Sequence, residues 1–390
     1  ISIIITAHNY GRYLDECITS CLQQSIQPHQ IIYSDNGSDD NSIEIAREHD
    51  LLIVMQKNRV GLAGARNDAV NFATGKYLIF VDGDDILAYD YLERMTEVLD
   101  DDTVVVYSPM HYFNDKNENI KLQDWNCERT MFLWYNNYCH TSSLIRRDAF
   151  MKVGMWQENE YNTLWDWHLF LRLSRIGKFK KSRAILHYRR HENNNSIKVA
   201  EKYGKKLPKI RREVMLSVVD VTIGIVYGGR LPELFYKLIE NIIDDCKILS
   251  NKPQLIIINN ANELPKIKKN YYKKFSEIRV IKGNNLDCRT KETRQYLSTI
   301  LADAYNTILE NATGEIIHFR EDDMITEVGA FEKLLEYLTN PENNATATAA
   351  LYLSRHQKRI VGGYYHDDIK LITEKEIQNK PMQVDFTGTG

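Results

Sequence analysis

The chain contains no apolar run that approaches the roughly 20 residues needed to cross a bilayer. Its apolar stretches, such as "SIIITA" near the start and "LIII" around residue 256, have the length of strands. We therefore expect membrane contact only through segments outside this chain. Because the sequence begins at Ile1 inside a strand pattern and stops after "DFTGTG", we also expect the protein to continue beyond both ends.

An excess of charge of either sign is also missing. The 390 residues carry 50 Lys and Arg against 53 Asp and Glu, which gives a net charge of -3 at pH 7. A nucleic-acid-binding protein would show a basic excess, so we expect no nucleic-acid partner. Hydrophobic content of 43% is typical of a soluble globular protein, and the length allows two or three domains.

Cysteine is scarce and scattered. The six cysteines show neither a CxxC pair nor the spacing of a metal site. Cys17 and Cys21 lie four residues apart on a predicted helix, where buried free thiols are the expected state. This usage indicates a reducing compartment. We therefore expect a cytoplasmic protein, with any membrane association on the cytoplasmic side.

Strand-like and helix-like segments alternate from the first residue onward. "SIIITA", "QIIYSD", "LLIVMQ" and "KYLIFVD" read as strands, and helical periodicity separates them. This alternation predicts an α/β fold with a mainly parallel sheet flanked by helices. Ligands of such sheets bind at the carboxyl ends of the strands. Polar clusters stand at three of these ends, at residues 6–9, 35–40 and 82–85.

The pattern begins again in the second half of the chain. "AYNTILENATGEIIHFREDD" (304–323) aligns without a gap with "ARNDAVNFATGKYLIFVDGD" (65–84), and both contain the same Ala-Thr-Gly turn. We interpret this as an internal duplication. The predicted organisation is one domain at 1–200, a basic helical linker at 201–220, and a second domain at 221–390 that continues beyond Gly390.

Three carboxylates follow the fourth strand, in "FVDGDD". An Asp-x-Asp at a strand end suits a hard divalent cation, because Mg²⁺ and Mn²⁺ prefer oxygen ligands and bridge to substrate phosphates. Acidic surface turns are common, so this signal is weak by itself. Its value depends on the segments around it.

Six segments in order make the first half, residues 1–195, resemble the family 2 glycosyltransferases, which are nucleotide-sugar enzymes of GT-A fold. They are "SIIITAHNYGRYLDECITSCLQQS", "IIYSDNGSDDNS", "NRVGLAGARNDAV", "KYLIFVDGDD", "SSLIRRDAFMKVGMWQE" and "WDWHLFLRLSRIG". The resemblance implies two tandem GT-A-like (Rossmann-like) domains. It also implies a nucleotide-sugar donor, most simply a UDP-sugar, a glycan or other hydroxyl acceptor, and a Mn²⁺ or Mg²⁺ cofactor.

The resemblance also implies roles for individual residues. Asp35 would accept a hydrogen bond from a uracil-type edge, although an Asx turn or helix cap is an equal alternative. Arg66 would face the diphosphate or ribose, the alternative being an arginine on a helix surface. The implied nucleotide-sugar-binding residues are Thr6, Ala7, His8, Asn9, Asp35, Arg66, Asp82 and Gly83.

Asp84 would ligate the metal, and a late loop, "HYRRHENNNS", supplies His191 as a second candidate ligand in preference to His187. Asp85 is open to another interpretation, because it could cap the following helix. Asp166 is the candidate general base, although the family commonly has a Glu-Asp pair where this chain has Trp165-Asp166. The alternative for Asp166 is an N-cap.

Two further expectations concern aromatic residues and the second half. Trp165 and Trp167 could stack on a sugar ring or belong to the core. In the second domain the candidate site residues are Asn259, Glu321, Asp322 and Asp323, with a degenerate scaffold as the alternative.

The resulting prediction is an inverting, metal-assisted glycosyltransferase of hexosyltransferase type, acting in polysaccharide biosynthesis. Two rivals stay open. A sugar nucleotidyltransferase would share the handling of metal and phosphate, and a non-catalytic carbohydrate-binding or assembly module would share the fold.

Overall fold

The computed structural model describes residues 1–390 with these gaps: 57–58, 117, 125–138, 159–162, 193, 229–231, 262, 264–265, 284–296, 315, 322–351, 354–359 and 362–390. The chain divides into two compact units, Ile1–Ile210 and Arg211–Gly390. In the described part of the chain, no helix combines the length and the apolar character that a membrane span requires.

The first unit contains two sheets. Its strands are β1 (Ser2–Ala7), β2 (Gln30–Asp35), β3 (Leu52–Met55), β4 (Tyr77–Asp82), β5 (Ile86–Leu87), β6 (Thr103–Tyr107), β7 (Met110–Asn114), β8 (Asn119–Gln123), β9 (Leu144–Arg146), β10 (Lys178–Lys181) and β11 (Leu186–Arg190). Its helices are α1 (Gly11–Leu22), α2 (Ser42–Glu48), α3 (Leu62–Val70), α4 (Tyr91–Thr96), α5 (Arg147–Lys152), α6 (Trp165–Ser174), α7 (Asn195–Tyr203) and α8 (Leu207–Leu216), the last of which contains the boundary between the units.

The larger sheet has seven strands in the order β10-β6-β9-β4-β1-β2-β3. Strands β3, β2, β1 and β4 are parallel, whereas β9 runs antiparallel to both β4 and β6. The smaller sheet has the order β5-β11-β7-β8 and begins directly after the acidic segment at residues 82–85. This α/β architecture, with mainly parallel strands and flanking helices, confirms the predicted fold class.

Strand β1 is buried along its whole length, as expected for a run of β-branched residues inside a parallel sheet. Helix α1 covers one face of the sheet with the apolar positions that its 3.6-residue period predicts. Leu14, Cys17, Ile18 and Cys21 are all fully buried there. The two cysteines are free thiols, as predicted.

The second unit repeats the order of the first four parallel strands. Its elements are β12 (Val221–Tyr227), α9 (Pro232–Asp245), β13 (Gln254–Asn259), β14 (Glu277–Lys282), α10 (Leu297–Asn311), β15 (Ile316–Glu321), β16 (Tyr352–Leu353) and β17 (Ile360–Val361). Strands β14-β13-β12-β15 form a fully parallel sheet, and this order matches β3-β2-β1-β4.

A small hydrogen-bond network closes the amino-terminal edge of the first sheet. The Ser2 hydroxyl accepts a bond from the Gly75 amide at 2.9 Å and donates to Gln30 Oε1 at 3.1 Å. The same Gln30 oxygen accepts the Thr74 amide at 3.2 Å. The Ala-Thr-Gly turn before β4 is thus joined to the first residues of β1 and β2.

The second sheet has the same network. The Thr222 hydroxyl accepts the Gly314 amide at 2.9 Å and donates to Gln254 Oε1 at 2.8 Å. The Thr313 amide donates to that Gln254 oxygen at 3.0 Å. Strand order, strand direction and this network therefore agree between the two units.

The paired glycines should be equally intolerant of a side chain. A Cβ on Gly75 would lie 2.6 Å from the Ser2 amide nitrogen, and one on Gly314 would lie 2.5 Å from that of Thr222. Because both obstacles are backbone atoms, Gly75→Ala and Gly314→Ala should each cost about 1–3 kcal/mol and lower the midpoint of urea unfolding. Gly204→Ala is the control, since nothing lies within 4 Å of its Cβ position. A loss no larger than that of the control would contradict this prediction.

Candidate active site

The polar clusters predicted from the sequence meet at one edge of the larger sheet. The carboxyl ends of β2 and β4 flank that of β1, with Asp35 paired to Ala7 and Asp82 paired to Thr6 in the strand register. Thr6, Ala7 and Asp35 are buried. This arrangement follows from three parallel neighbouring strands that end at the same level.

Arg66 and Asp82 form an ion pair at this edge, between Nη2 and Oδ1. The arginine side chain is completely buried, so its alternative placement on a helix surface is wrong. Burial raises the pKa of the Asp82 carboxyl, Arg66 opposes this effect, and the negative charges of Asp84 and Asp166 add to it. Nε and Nη1 of Arg66 have no hydrogen-bond partner among the residues that the structure describes.

Two tryptophans enclose the guanidinium of Arg66. Its carbon lies 4.7 Å from the centre of the Trp165 ring and 5.2 Å from that of Trp156. The two indoles meet edge to face at 5.3 Å. The Trp165 ring is turned to Arg66 and 8% exposed, and Trp167 is also buried, so the core interpretation fits both better than sugar stacking.

Asp84 lies beside His191. Its Oδ2 is 2.9 Å from His191 Nε2 and accepts a bond from Asn194 Nδ2 at 3.2 Å, while Asn194 Oδ1 accepts the His191 amide at 2.8 Å. All three side chains are buried. His187 instead faces His111 across β11 and β7, with 3.0 Å between their Nδ1 atoms. The structure therefore brings His191, not His187, to the acidic segment.

The Asp84–His191 pair fits a divalent cation. Two ligands at right angles on an octahedral ion, each about 2.1 Å away, are separated by about 3 Å. The 2.9 Å between Asp84 Oδ2 and His191 Nε2 matches this separation. Among the described residues no three His, Cys, Asp or Glu side chains form a group that could hold a metal ion.

Asp85 has a structural partner on the smaller sheet. Its Oδ1 accepts the Arg189 amide at 3.1 Å, while the Arg189 side chain donates to the Asp84 carbonyl at 3.2 Å and to Glu16 Oε2 at 2.5 Å. The helix-cap alternative for Asp85 is wrong, because α4 begins at Tyr91 and Asp90 precedes it. Burial and the charges of Asp84 and Asp82 hold the Asp85 pKa well above its usual range.

Asp35 shapes the turn after β2. Its Oδ2 accepts the amides of Gly37 and Ser38 at 3.0 and 2.9 Å, and its Oδ1 accepts the Tyr33 hydroxyl at 3.1 Å. The Asx-turn alternative is therefore present. An ionised carboxylate has about four acceptor positions, so one remains for a ligand. Nearby polar atoms that are buried without a protein partner are Thr6 Oγ1, His8 Nδ1 and Asn36 Nδ2.

Asn9 lies in the loop after β1 and has a positive φ of 60°. Its amide donates to Ser38 Oγ at 3.0 Å and its Oδ1 accepts the Asp39 amide at 2.9 Å. These bonds join the loops that follow β1 and β2. Asn9 therefore fixes the outer part of the candidate site.

Asp166 lies in the first turn of α6, not at its cap. The N-cap position is occupied by Leu164, with a positive φ of 56°, and not by Asp166. The N-cap alternative is therefore wrong, although a carboxylate in the first turn still interacts favourably with the helix dipole. The preceding residue, Trp165, lies on Arg66, and the Asp166 charge contributes to the raised pKa of Asp82, so Asp166 is close enough to interact with the acidic segment.

In the second unit, Asn259 ends β13 and its Oδ1 accepts the Ala261 amide at 3.1 Å, as Asp35 does for Gly37 in the first unit. Glu321 ends β15 and pairs in register with Val226. Asp322 and Asp323 lie outside the described residues.

Sequence reasoning missed three residues of this site. Trp156, Arg189 and Asn194 act through contacts made far along the chain; Asn194, for instance, reaches Asp84 over 110 positions. The sequence gives one indication of their importance: all three lie in segments that resemble the family pattern. Nothing in their local sequence identified their partners.

Comparison with known proteins relates part of this unit to a protein family. The sequence model described as Glycosyl transferase family 2 matches residues 2–154. Over residues 2–154 the chain is therefore similar to the family 2 glycosyltransferases. The match contains Thr6, Asp35, Arg66 and the acidic segment at residues 82–85.

Curated relatives agree with this assignment. The chain is 31% identical, over 206 residues, to a chondroitin synthase of Pasteurella multocida, and this match covers 51% of this chain and 21% of that one. Glycosyltransferase GlyG of Streptococcus pneumoniae is 33% identical over 165 residues, covering 41% of this chain and 52% of its own. The chain thus spans about a fifth and about half of these relatives.

Solved structures show a weaker likeness. TarS of S. aureus in complex with UDP-GlcNAc has a TM-score of 0.43 and 14% identity, covering 55% of this chain and 65% of that chain. The mannosyltransferase PcManGT of Pyrobaculum calidifontis, in complex with GDP-Man and Mn²⁺, has a TM-score of 0.41 and 14% identity over 55% and 61% of the two chains. The family assignment therefore depends on the sequence relatives.

The contact between Gly83 and Ala7 provides a test of the site's packing. A Cβ on Gly83 would lie 2.8 Å from the Ala7 Cβ, so Gly83→Ala should force β1 and the acidic segment apart and cost about 1–3 kcal/mol in unfolding free energy. Removing the opposing methyl group should relieve this clash. The double variant Ala7→Gly with Gly83→Ala should thus be more stable than the two single losses predict. Strictly additive losses in urea titrations would contradict the contact.

Proposed function

We propose that the first unit is an inverting, metal-assisted glycosyltransferase that moves a sugar from a UDP-sugar to a hydroxyl group of a glycan. The observation that carries this proposal is the convergence of the Asp84–His191 pair, the Arg66–Asp82 pair and Asp166 beside one sheet edge. A carboxylate base, a cationic side chain and a candidate cation site are the three parts that such a transfer requires.

Donor binding would use the atoms that have no protein partner. Nε and Nη1 of Arg66 can donate to a phosphate or ribose oxygen. Asn36 Nδ2 and the free acceptor position of Asp35 suit the carbonyl and N–H groups of a uracil edge. Asp84 and His191 would hold Mn²⁺ or Mg²⁺ against the diphosphate.

The transfer would be a single displacement. Asp166 accepts the proton of the acceptor hydroxyl as that oxygen bonds to the anomeric carbon, and the bond from this carbon to the diphosphate breaks with its electron pair leaving on the diphosphate. A bound cation supplies Lewis-acid stabilisation of that leaving group. Attack from the face opposite the diphosphate inverts the anomeric configuration.

Release of nucleoside diphosphate from a panel of UDP-, GDP- and dTDP-sugars, with mixed sugar acceptors present, tests this proposal. We expect Mn²⁺-dependent release from one donor class, abolished by EDTA and reduced at least about 100-fold by Asp84→Ala, because the cation loses a charged ligand. Asp101→Ala is the matched control, since Asp101 is exposed and precedes the amino end of β6, at the sheet edge opposite the candidate site.

The outcomes separate the rivals. Release from that same donor class that survives EDTA or Asp84→Ala would contradict metal assistance by the first unit. Sugar binding without release from any donor would favour a non-catalytic module, and pyrophosphate release from a sugar phosphate and a nucleoside triphosphate would favour a nucleotidyltransferase. A product whose anomeric configuration by NMR equals that of the donor would contradict inversion.

For the second unit we propose a duplicated domain with a second nucleotide-sugar site. It is supported by the shared strand order and by the equivalent placement of Asn259 and Glu321 at strand ends. In the full chain carrying Asp84→Ala, release of a different nucleoside diphosphate should persist and be lost on adding Glu321→Ala. Absence of any second donor activity would favour the scaffold alternative.

A further inference from the structure

The asparagine of the Ala-Arg-Asn segment, which follows Arg66, is hydrogen-bonded to a residue far along the chain. Asn67 Nδ2 donates to the Trp156 carbonyl at 2.9 Å, and its Oδ1 accepts the Trp156 amide at 3.1 Å. These two bonds fix the backbone of a residue 89 positions away, and the ring of that residue covers the neighbouring Arg66. Helix α3 therefore supplies both the arginine and the attachment for one ring beside it.

The turn that carries Trp156 is also held from helix α6. Arg172 donates from Nη2 to the Met155 carbonyl at 2.8 Å and from Nη1 to the Val153 carbonyl. Gly154 and Met155 both have positive φ, 84° and 57°, so the turn has a conformation that needs such support. Trp156 is thus attached to α3 and to α6 at once.

Helix α6 supplies the second ring and the candidate base at consecutive positions. Trp165 covers Arg66, and Asp166 is the next residue in the first turn. Because both side chains start from the same rigid turn, movement of the Trp165 ring on Arg66 would also move the Asp166 carboxylate. The Arg66–Asp82 pair then links this turn to strand β4.

We propose that Asn67, Trp156 and Trp165 form an aromatic clamp whose role is to position Arg66 for the donor and Asp166 for the acceptor. This inference deepens the proposed function and depends on it. The clamp holds the guanidinium against two rings that meet edge to face, with Nη2 on Asp82, which leaves Nε and Nη1 for the donor. Cation–π contacts are stronger when they are desolvated, so these two contacts favour one orientation of the guanidinium.

The two rings should have different kinetic effects, measured with the UDP-sugar that the panel identifies. Trp156→Leu and Asn67→Ala remove one ring beside the guanidinium, or its attachment, but keep Trp165 and Asp166 on α6, so we expect the donor KM to rise about tenfold and kcat to stay within about threefold. Trp165→Leu should also lower kcat at least about tenfold, because it releases the turn that carries Asp166. Trp165→Phe retains an aromatic face and should recover most of the lost rate.

Trp167→Leu is the matched control, since it removes a buried tryptophan from the same helix. Reaction with phenylglyoxal, mapped by mass spectrometry, gives a readout independent of turnover. Arg66 should be protected in the wild type and in Trp167→Leu, and modified in Trp156→Leu and Trp165→Leu.

The outcomes are distinguishable. Wild-type kcat in Trp165→Leu, or equal effects of Trp165→Leu and Trp167→Leu, would overturn the positioning role. No turnover by the wild type would reject the proposed function, and the phenylglyoxal pattern would still decide whether the clamp exists. Equal protection of Arg66 in all variants would overturn the clamp.

Discussion

The ion pair between Arg66 and Asp82 is the interaction on which the rest of this site depends. A fully buried guanidinium is tolerated only with a charged or polarisable partner, and here it has one carboxylate and two indole faces. Removing Asp82 would leave a buried positive charge, and removing Arg66 would leave crowded carboxylates. The positive charge of Arg66 therefore offsets the repulsion among the carboxyl groups of Asp82, Asp84 and Asp85 at this sheet edge.

The parallel sheet and its polar edge could be predicted because their signals are local. β-branched runs, helical spacing and polar strand ends stand in consecutive residues, and parallel topology then brings residues 6–9, 35–40 and 82–85 together. The smaller sheet was harder, because β5 has only two residues and pairs with β11 about a hundred positions later. The strand signal is too short there to be read.

Partner choice was the part that sequence could not supply. The sequence allows Asp85 to cap the following helix, whereas in the structure its carboxylate accepts the backbone amide of Arg189. Trp165 was considered as a sugar platform, yet its ring lies on Arg66. Both side chains have several chemically reasonable partners, and the choice depends on which element the fold brings near. Long-range packing thus decided what residue type alone left open.

The unpartnered polar atoms around Thr6, His8, Asn36 and Arg66 have an energetic consequence. Each buried donor or acceptor without a partner costs about 1–3 kcal/mol, so this edge of the sheet lowers the stability of its own domain. Substitutions that replaced these groups with apolar ones would favour heat resistance and would remove the atoms that we propose for donor binding. Thermal robustness and ligand affinity are therefore opposing demands on the same few atoms.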